Sequence, residues 1–218
     1  MKKENLAFLS LKTSNLKVLV IGGGKAGYIK VKSFLQKGCT VTLITKDISK
    51  EISQIETYDK LTIINEDFNC ENHYNFIKKC HLVIIATNNK ELNCKIRKLC
   101  DDIFRLYIDC TEVEKSLCIT PTMGQSEEII FALHTKDKSP KTSVFLRNIL
   151  EKEFEKYDDY VKFSVNIRNS LNNLKDKKEI MDFISSYDFL YMFNKGYGEK
   201  ILNLFYGGLS FENSNKKK

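Results

Sequence analysis

The chain has 218 residues, of which 42% are hydrophobic and 29% are charged, and its formal net charge is +7. This composition, with two prolines and no internal repeat, excludes a disordered or fibrous protein, and no apolar run approaches the ~18 residues of a membrane-spanning helix. The length is sufficient for one sizeable core and a smaller appended region.

Charge and cysteine content restrict the partners and the compartment. The positive charge favours a lysine-rich solvated surface, with a polyanionic partner as the alternative. Nucleic acid is not expected, because no dense basic run precedes the lysines at residues 216–218. The seven cysteines form no Cys-x-x-Cys pair and follow no secretory leader, so a reduced cytoplasmic protein is expected.

Strand-like and helix-like segments alternate through the first two-thirds of the chain. Continuous apolar or β-branched runs predict five strands, at residues 17–22, 40–45, 60–65, 81–87 and 105–110. Helices are predicted between them, over residues 26–38, 48–58 and 89–100. Strands separated by helical crossovers predict an α/β fold, in which helices cover both faces of a parallel sheet.

The last third of the chain has a different pattern. Two strand-like runs, at residues 115–122 and 127–135 with Gly124 between them, predict a hairpin or an extended arm. Helical segments are predicted after them, at residues 139–157, 160–171, 178–193 and 198–208. The aromatic stripe at residues 187–193 has helical spacing, so we expect it in a helix core.

A glycine-rich turn joins the first strand to the first helix. Gly22, Gly24 and Gly27 fit the pattern G-x-G-x-x-G, and the strand before it and the helix after it are the context that a Rossmann-like dinucleotide site requires. Gly22 permits the tight turn, Gly24 permits close approach of a pyrophosphate, and Gly27 permits close packing of helix and strand. The alternative is a glycine turn in an unrelated α/β fold.

The residues after the second strand bear on whether the coenzyme is NAD or NADP, which carries an additional 2′-phosphate. An acidic residue at this place binds the ribose hydroxyls of NAD. Asp47 lies slightly late for that role, whereas Lys46 would meet the 2′-phosphate of NADP. The residues alone therefore do not decide between NAD and NADP.

Four stretches of the sequence together carry a family resemblance. They are NLAFLSLKTSNLKVLVIGGGKAGYIKVKSFLQKGCTVTLI (residues 5–44), LVIIATNNKELNCKIRKLC (82–100), LYIDC (106–110) and FALHTKDKSPKTSVFLRNILE (131–151). These stretches resemble the precorrin-2 dehydrogenases, which form the N-terminal half of siroheme synthases. The similarity covers about residues 5–151, and beyond them the match is limited to helical character.

The resemblance implies an architecture and an activity. The expected domains are an NAD(P)-binding Rossmann domain at residues 1–113, a dimerisation hairpin at 114–148 and a helical domain at 149–218. The family uses NAD to oxidise the tetrapyrrole precorrin-2 to sirohydrochlorin in siroheme biosynthesis, and some members also insert iron. A homodimer is expected, with no membrane or nucleic-acid partner and no stable metal site, since the three histidines are scattered.

The resemblance also implies site residues. By position, the cofactor contacts would be Gly22, Gly24, Lys25, Ala26, Gly27, Lys46, Asp47 and Thr87. Asp109 aligns with the family's catalytic aspartate and would take a proton or orient the macrocycle, while NAD accepts the hydride. The alternative for Asp109 is a strand-end aspartate that caps a turn.

The substrate of this family carries eight carboxylate arms, to which the positively charged residues of the chain would bind. Thr135, Lys136 and Ser139, with Lys138 and Lys141 nearby, are the candidate contacts to those arms, and a solvated loop is the alternative. The sequence departs from the family pattern at residues 88–89, at Leu106 and at residues 136–138. An NAD(H)-sensing regulatory protein and a chelatase without dehydrogenase activity therefore stay open.

Overall fold

The structure is a computed structural model that describes residues 6–55, 58–136, 139–171 and 176–207. Internal contacts divide the chain into two compact units, Met1–Thr120 and Pro121–Lys218. In the described residues, no helix is long and apolar enough to cross a membrane.

The first unit is built on a five-stranded parallel sheet. Its strands are β1 (Lys17–Ile21), β2 (Thr40–Thr45), β3 (Leu61–Asn65), β4 (Leu82–Ile85) and β5 (Leu106–Asp109). They lie in the order β3-β2-β1-β4-β5, with every neighbouring pair parallel. All five predicted strands are confirmed to within two residues at each end.

Among the described residues of this unit, four α-helices flank the sheet. They are α1 (Lys25–Gln36), α2 (Lys50–Ser53), α3 (Tyr74–Lys79) and α4 (Lys90–Asp102). The predicted helix at 48–58 is short in the structure, and two of its residues, 56 and 57, lie outside the described part. Helix α3 is not among the helices that the sequence predicts, because its six residues are too few for a clear helical period.

Both faces of the sheet are buried, which explains the unbroken apolar runs of its strands. Along β1, Val18 and Val20 face one core cluster with Val31 of α1, whereas Leu19 and Ile21 face another. Side chains alternate between the two faces of a strand, so a strand covered on both sides is apolar throughout. The predicted α/β class with a parallel, Rossmann-like sheet is therefore confirmed.

The second unit opens with a two-stranded antiparallel hairpin, β6 (Thr122–Gln125) and β7 (Ile130–Leu133). The hairpin was predicted, but its first strand was placed too early: residues 115–121 form no strand, and Gly124 lies within β6. The run at residues 115–121 is apolar for another reason: Cys118 packs against the core of the first unit and donates its N–H to the Tyr107 carbonyl, 3.0 Å away.

In the part of the second unit that the structure describes, five α-helices follow the hairpin. They are α5 (Pro140–Glu155), α6 (Asp158–Ser170), α7 (Lys177–Ile184), α8 (Tyr187–Asn194) and α9 (Gly198–Phe205). The predicted segment at 178–193 is two helices, because Ser186 accepts a hydrogen bond from the Phe189 N–H and so caps α8. The aromatic stripe is divided: Phe189 is buried in the helical core, whereas Tyr187 and Tyr191 are exposed.

Candidate functional site

The carboxyl ends of the parallel strands bring most of the predicted site residues to one edge of the sheet. Strands β1 and β4 are neighbours, although β2 and β3 lie between them in sequence. Such a reversal of strand order opens a crevice at the carboxyl edge, where ligands of α/β sheets bind. The glycine turn follows β1, Lys46 and Asp47 follow β2, Thr87 follows β4, and Asp109 ends β5.

The glycine turn lies in close contact with its surroundings. Gly22 has φ +103°, and a Cβ at this position would lie 2.5 Å from the Ala86 carbonyl oxygen. A Cβ at Gly27 would lie 2.0 Å from the Gly22 carbonyl oxygen. The turn therefore needs glycine at both positions, for conformation at the first and for close approach at the second.

Gly24 has the opposite environment. It is the N-cap of α1, and a Cβ there would meet no described atom within 4 Å. No side chain of the described residues caps the helix, and its first turn has no acidic residue but begins with Lys25. The free N–H groups and the positive end of the helix dipole therefore face open space, which suits a diphosphate.

A short turn follows β2. The Thr45 hydroxyl donates to the Asp47 carbonyl oxygen at 2.9 Å, and both Lys46 and Asp47 are exposed. The Lys46 ammonium lies 3.6 Å from a carboxylate oxygen of Asp67, which comes from the segment after β3. The sequence alone does not indicate Asp67, because it lies 21 positions after Lys46 and only the pairing of β2 with β3 brings the two residues together.

A polar network connects the ends of β4 and β5. The Thr87 hydroxyl donates to the side-chain oxygen of the fully buried Asn93. The Asn93 amide donates to the Thr87 carbonyl at 3.0 Å and to the Thr111 hydroxyl at 3.1 Å. The segment after β4 is thus fixed relative to the segment after β5.

The Asp109 carboxylate lies at the centre of this network and has no exposed surface. One oxygen accepts hydrogen bonds from the Thr111 N–H at 2.8 Å, the Thr111 hydroxyl at 2.7 Å and the Glu112 N–H at 3.0 Å. The other oxygen forms an ion pair with the Arg97 guanidinium, which also contacts Glu112 at 3.0 Å. Both carboxylate oxygens of Asp109 therefore have partners within the protein.

These contacts keep Asp109 ionised. Burial by itself raises the pKa of Asp109, but the hydrogen bonds from Thr111 and Glu112 and the contact with Arg97 outweigh it, and the pKa lies below its ordinary value. A carboxylate of this kind holds its charge at neutral pH and is a weak base. Its hydrogen bonds fix the backbone that follows β5.

Asn93 and Arg97 were not recognised from the sequence. They lie four residues apart on α4, and Ile96 and Cys100 beside them are fully buried. The spacing was a usable signal, since two polar residues on the buried face of a helix need polar partners. The sequence did not indicate which partners those were.

The remaining predicted contacts belong to the second unit. The Thr135 hydroxyl accepts a hydrogen bond from the Ser139 N–H at 3.0 Å, and the Ser139 hydroxyl donates to the Thr142 hydroxyl at 2.7 Å. Lys136 is exposed, and Lys138 lies outside the described residues. Across the part of the chain that the structure describes, no group of three or more His, Cys, Asp or Glu side chains could hold a metal ion.

Comparison with known proteins agrees with the geometry of the glycine turn. The profile of a family described as "Putative NAD(P)-binding" matches residues 9–122, more than half of the chain. The chain belongs to this NAD(P)-binding family. This family is in agreement with the predicted nicotinamide dinucleotide cofactor.

Relatives of this NAD(P)-binding protein carry two names. A "Putative precorrin-2 dehydrogenase" of Methanocaldococcus jannaschii is 28% identical, over 76% of this chain and 82% of its own. The "Precorrin-2 dehydrogenase" of Methanosarcina barkeri is 26% identical over 83% of each chain. A "Siroheme synthase" of Buchnera aphidicola is 29% identical over 66% of this chain, which spans 29% of that synthase. The predicted family resemblance is confirmed.

A solved structure has the same fold. It is "SirC, precorrin-2 dehydrogenase", with a TM-score of 0.67 over 92% of this chain and 99% of that chain, at 21% identity. At this identity, the similarity establishes the shared fold, a Rossmann-like sheet followed by a helical region.

Proposed function

We propose that the protein is an NAD-dependent precorrin-2 dehydrogenase, which oxidises precorrin-2 to sirohydrochlorin in siroheme biosynthesis. One observation carries the proposal: the glycine turn and Asp109 lie on the same edge of the sheet, in a chain whose relatives of comparable length are named for this reaction. The oxidation removes a hydride and a proton from the substrate. NAD, when bound, supplies the hydride acceptor.

The first unit is proposed to hold the coenzyme. The N–H groups of Lys25, Ala26 and Gly27 would bind the diphosphate at the N-terminus of α1, where Gly24 leaves room for it. Thr87 stands beside the turn, because Ala86 lies against Gly22. The dinucleotide would therefore lie across the crevice between β1 and β4.

Asp109 is proposed to act as a positioning residue. Its enclosed carboxylate and lowered pKa are unfavourable for a general base, which needs access to the proton and a pKa near the working pH. Its hydrogen bonds to Thr111 and Glu112 instead fix the segment after β5, and Thr111 is the exposed end of this network. The proton would leave to solvent or to another group.

The carboxylate arms of the substrate are assigned to the second unit. Thr135, Lys136 and Ser139 offer hydroxyl groups and one cation, which are suitable partners for carboxylates. The net charge of +7 favours association with such a polyanion at low ionic strength.

Asp109→Asn tests the positioning role. Asparagine keeps an oxygen for Thr111 and Glu112 but loses the charge that pairs with Arg97. We expect kcat to fall by about 100-fold, the size of effect that a small misplacement near the chemistry produces, with little change in the Kd for NAD. Turnover is followed by the absorbance of the macrocycle, with NAD, with NADP and with neither. An acid limb in the wild-type pH–rate profile near neutral pH that Asp109→Asn removes would instead identify Asp109 as the base.

The same assay tests the proposed function against its alternatives. Failure of the wild type to oxidise precorrin-2 with either nucleotide would overturn the dehydrogenase proposal. Insertion of Fe²⁺ or Co²⁺ into sirohydrochlorin without nicotinamide would assign a chelatase. NAD(H) binding without turnover, together with partner binding that depends on the NADH/NAD ratio, would assign a sensor.

A homodimer is proposed from the surface of the second unit. Its hairpin and α5 expose large apolar side chains, namely Met123, Ile130, Val144, Phe145 and Ile149. A two-stranded sheet is marginally stable alone, and exposed apolar patches of this kind mark protein–protein contacts. A second copy of the chain, related by two-fold symmetry, would cover this apolar surface on each of the two subunits.

Phe145→Glu is expected to convert the dimer to a monomer, because it puts a charge into the proposed apolar interface. Phe145 is 62% exposed in the single chain, so the change should cost little folding stability. Analytical ultracentrifugation at several protein concentrations measures the mass. Lys141→Glu, at the exposed start of the same helix, is the control and should remain a dimer. A monomeric wild type, or a dimeric Phe145→Glu variant, would contradict the proposal.

A cytoplasmic location is proposed as well. All seven cysteines are free. Burial raises the pKa of Cys80 to about 11 and that of Cys100 to about 12, so both thiols are protonated and unreactive at neutral pH. Seven free thiols suit a reducing compartment.

A further inference from the structure

We infer that Asp67, through Lys46, selects NAD over NADP. This inference rests on the dinucleotide site of the proposed function and identifies the residues that set its phosphate specificity. In Rossmann sites, the carboxyl end of the second strand faces the adenosine ribose, where an acid favours NAD and a cation accommodates the 2′-phosphate of NADP. Here β2 ends in Thr45, followed by the cation Lys46.

The fold supplies an acid to this place from the neighbouring strand. Strand β3 pairs in parallel with β2, with Thr45 beside Asn65, and Asp67 comes two residues later. The Asp67 carboxylate is 3.6 Å from the Lys46 ammonium. The acid that discriminates against the 2′-phosphate therefore need not come from the second strand itself.

Hydrogen bonds from side chains to carbonyl oxygens support the place where the two segments meet. With its amide nitrogen facing β2, Asn65 donates to the Lys46 carbonyl at 2.6 Å and to the Thr45 carbonyl at 3.1 Å. The Thr45 hydroxyl donates to the Asp47 carbonyl and fixes the turn. The pairing of Thr45 with Asn65 therefore brings the segment that carries Asp67 to the end of β2, where Asp67 forms the exposed ion pair with Lys46, which alone would be weak.

The electrostatic consequence follows from the charges. Lys46 alone would attract a 2′-phosphate, whereas Asp67 neutralises Lys46 and repels the phosphate. The neighbouring acid Glu66 is directed to His73, whose Nε2 lies 3.2 Å from its carboxylate. Asp47 forms no ion pair with a described residue, and it is the competing candidate for the acidic role.

The test measures binding of NADH and NADPH by fluorescence, without substrate. Asp67→Asn frees Lys46, so we expect the Kd for NADPH to fall by about 10-fold, as one nearby charge can produce, while the Kd for NADH changes little. The double variant Asp67→Asn, Lys46→Ala should lose this gain. Asp59→Asn removes the same charge from an exposed position elsewhere in the unit and is the control.

The outcomes distinguish a failure of this inference from a failure of the proposed function. An unchanged ratio of the two Kd values in Asp67→Asn overturns it, and so does a change produced by Asp47→Asn but not by Asp67→Asn. A wild type that binds neither nucleotide overturns both this inference and the proposed function. A wild type that binds NADH but does not oxidise precorrin-2 overturns the proposed function alone.

Discussion

Arg97→Met is expected to lower the free energy of unfolding by about 3–5 kcal/mol, because removing one partner of a buried ion pair leaves the other charge buried and unpaired. Asp109 has no exposed surface, and the Arg97 side chain is 9% exposed, so water cannot replace the lost guanidinium. Urea denaturation of the wild type and the variant measures the difference. Lys98→Met is the control, because Lys98 is the next residue of α4 and is exposed. This variant should change stability little.

The double variant Arg97→Met, Asp109→Asn separates the ion pair from packing. The neutral asparagine keeps an acceptor for Thr111 and Glu112 and no longer needs a cation. We therefore expect the double variant to be more stable than Arg97→Met alone. If the double variant is no more stable than Arg97→Met, the unpaired charge is not the source of the cost, which then lies in the lost packing of the long arginine side chain, and the ion-pair account is wrong.

The effect of Arg97→Met should depend on pH. The folded-state pKa of Asp109 lies below its ordinary value, so the folded state binds this proton less readily than the unfolded chain does. The stability from the ionised carboxylate is then complete above about pH 4, the unfolded value, and is lost as pH falls further through the folded value. In Arg97→Met, burial without the cation raises the folded-state pKa of Asp109 above its ordinary value. The difference between wild type and Arg97→Met should accordingly be largest near neutral pH and shrink as pH falls through that raised pKa and then through the lowered pKa of the wild type. A difference independent of pH would contradict the role of charge.

Gly24→Asp is expected to weaken NAD binding by at least about 100-fold while raising stability by about 0.5–1 kcal/mol. Gly24 has the extended backbone of an N-cap, and its surroundings leave room for a side chain. An aspartate there would accept hydrogen bonds from the free N–H groups of α1, which stabilises the helix. The same carboxylate would occupy the diphosphate position and repel it.

The opposite signs of these two effects distinguish the anion site from a general defect in folding. Calorimetric titration of NAD and thermal unfolding measure them on the same samples. Gly24→Asn caps the helix without a charge and should retain more affinity than Gly24→Asp. If Gly24→Asp binds NAD as tightly as the wild type does, the diphosphate lies elsewhere and the proposed site is wrong.

Local features of the sequence were sufficient for the sheet and the glycine turn. Strands buried on both faces must be apolar throughout, so the runs that form β1, β2 and β4 were recognisable without their partners. The turn was recognisable because its glycines are required by contacts with adjacent elements. Helix α3 was not recognisable from the sequence, because it is short. The start of β6 was not recognisable either, because β6 follows an apolar run that forms no strand.

Only the tertiary structure decided which polar side chains meet. Arg97 reaches Asp109 because α4 packs over β5, and Asp67 reaches Lys46 because β3 pairs with β2. A period in the sequence indicates which face of an element is buried, but it does not indicate the residue on another element that the face will meet. Asp109 was therefore predictable as a strand-end carboxylate, while its enclosure by Arg97, Thr111 and Glu112, and the low pKa that follows, depended on the packing of separate elements.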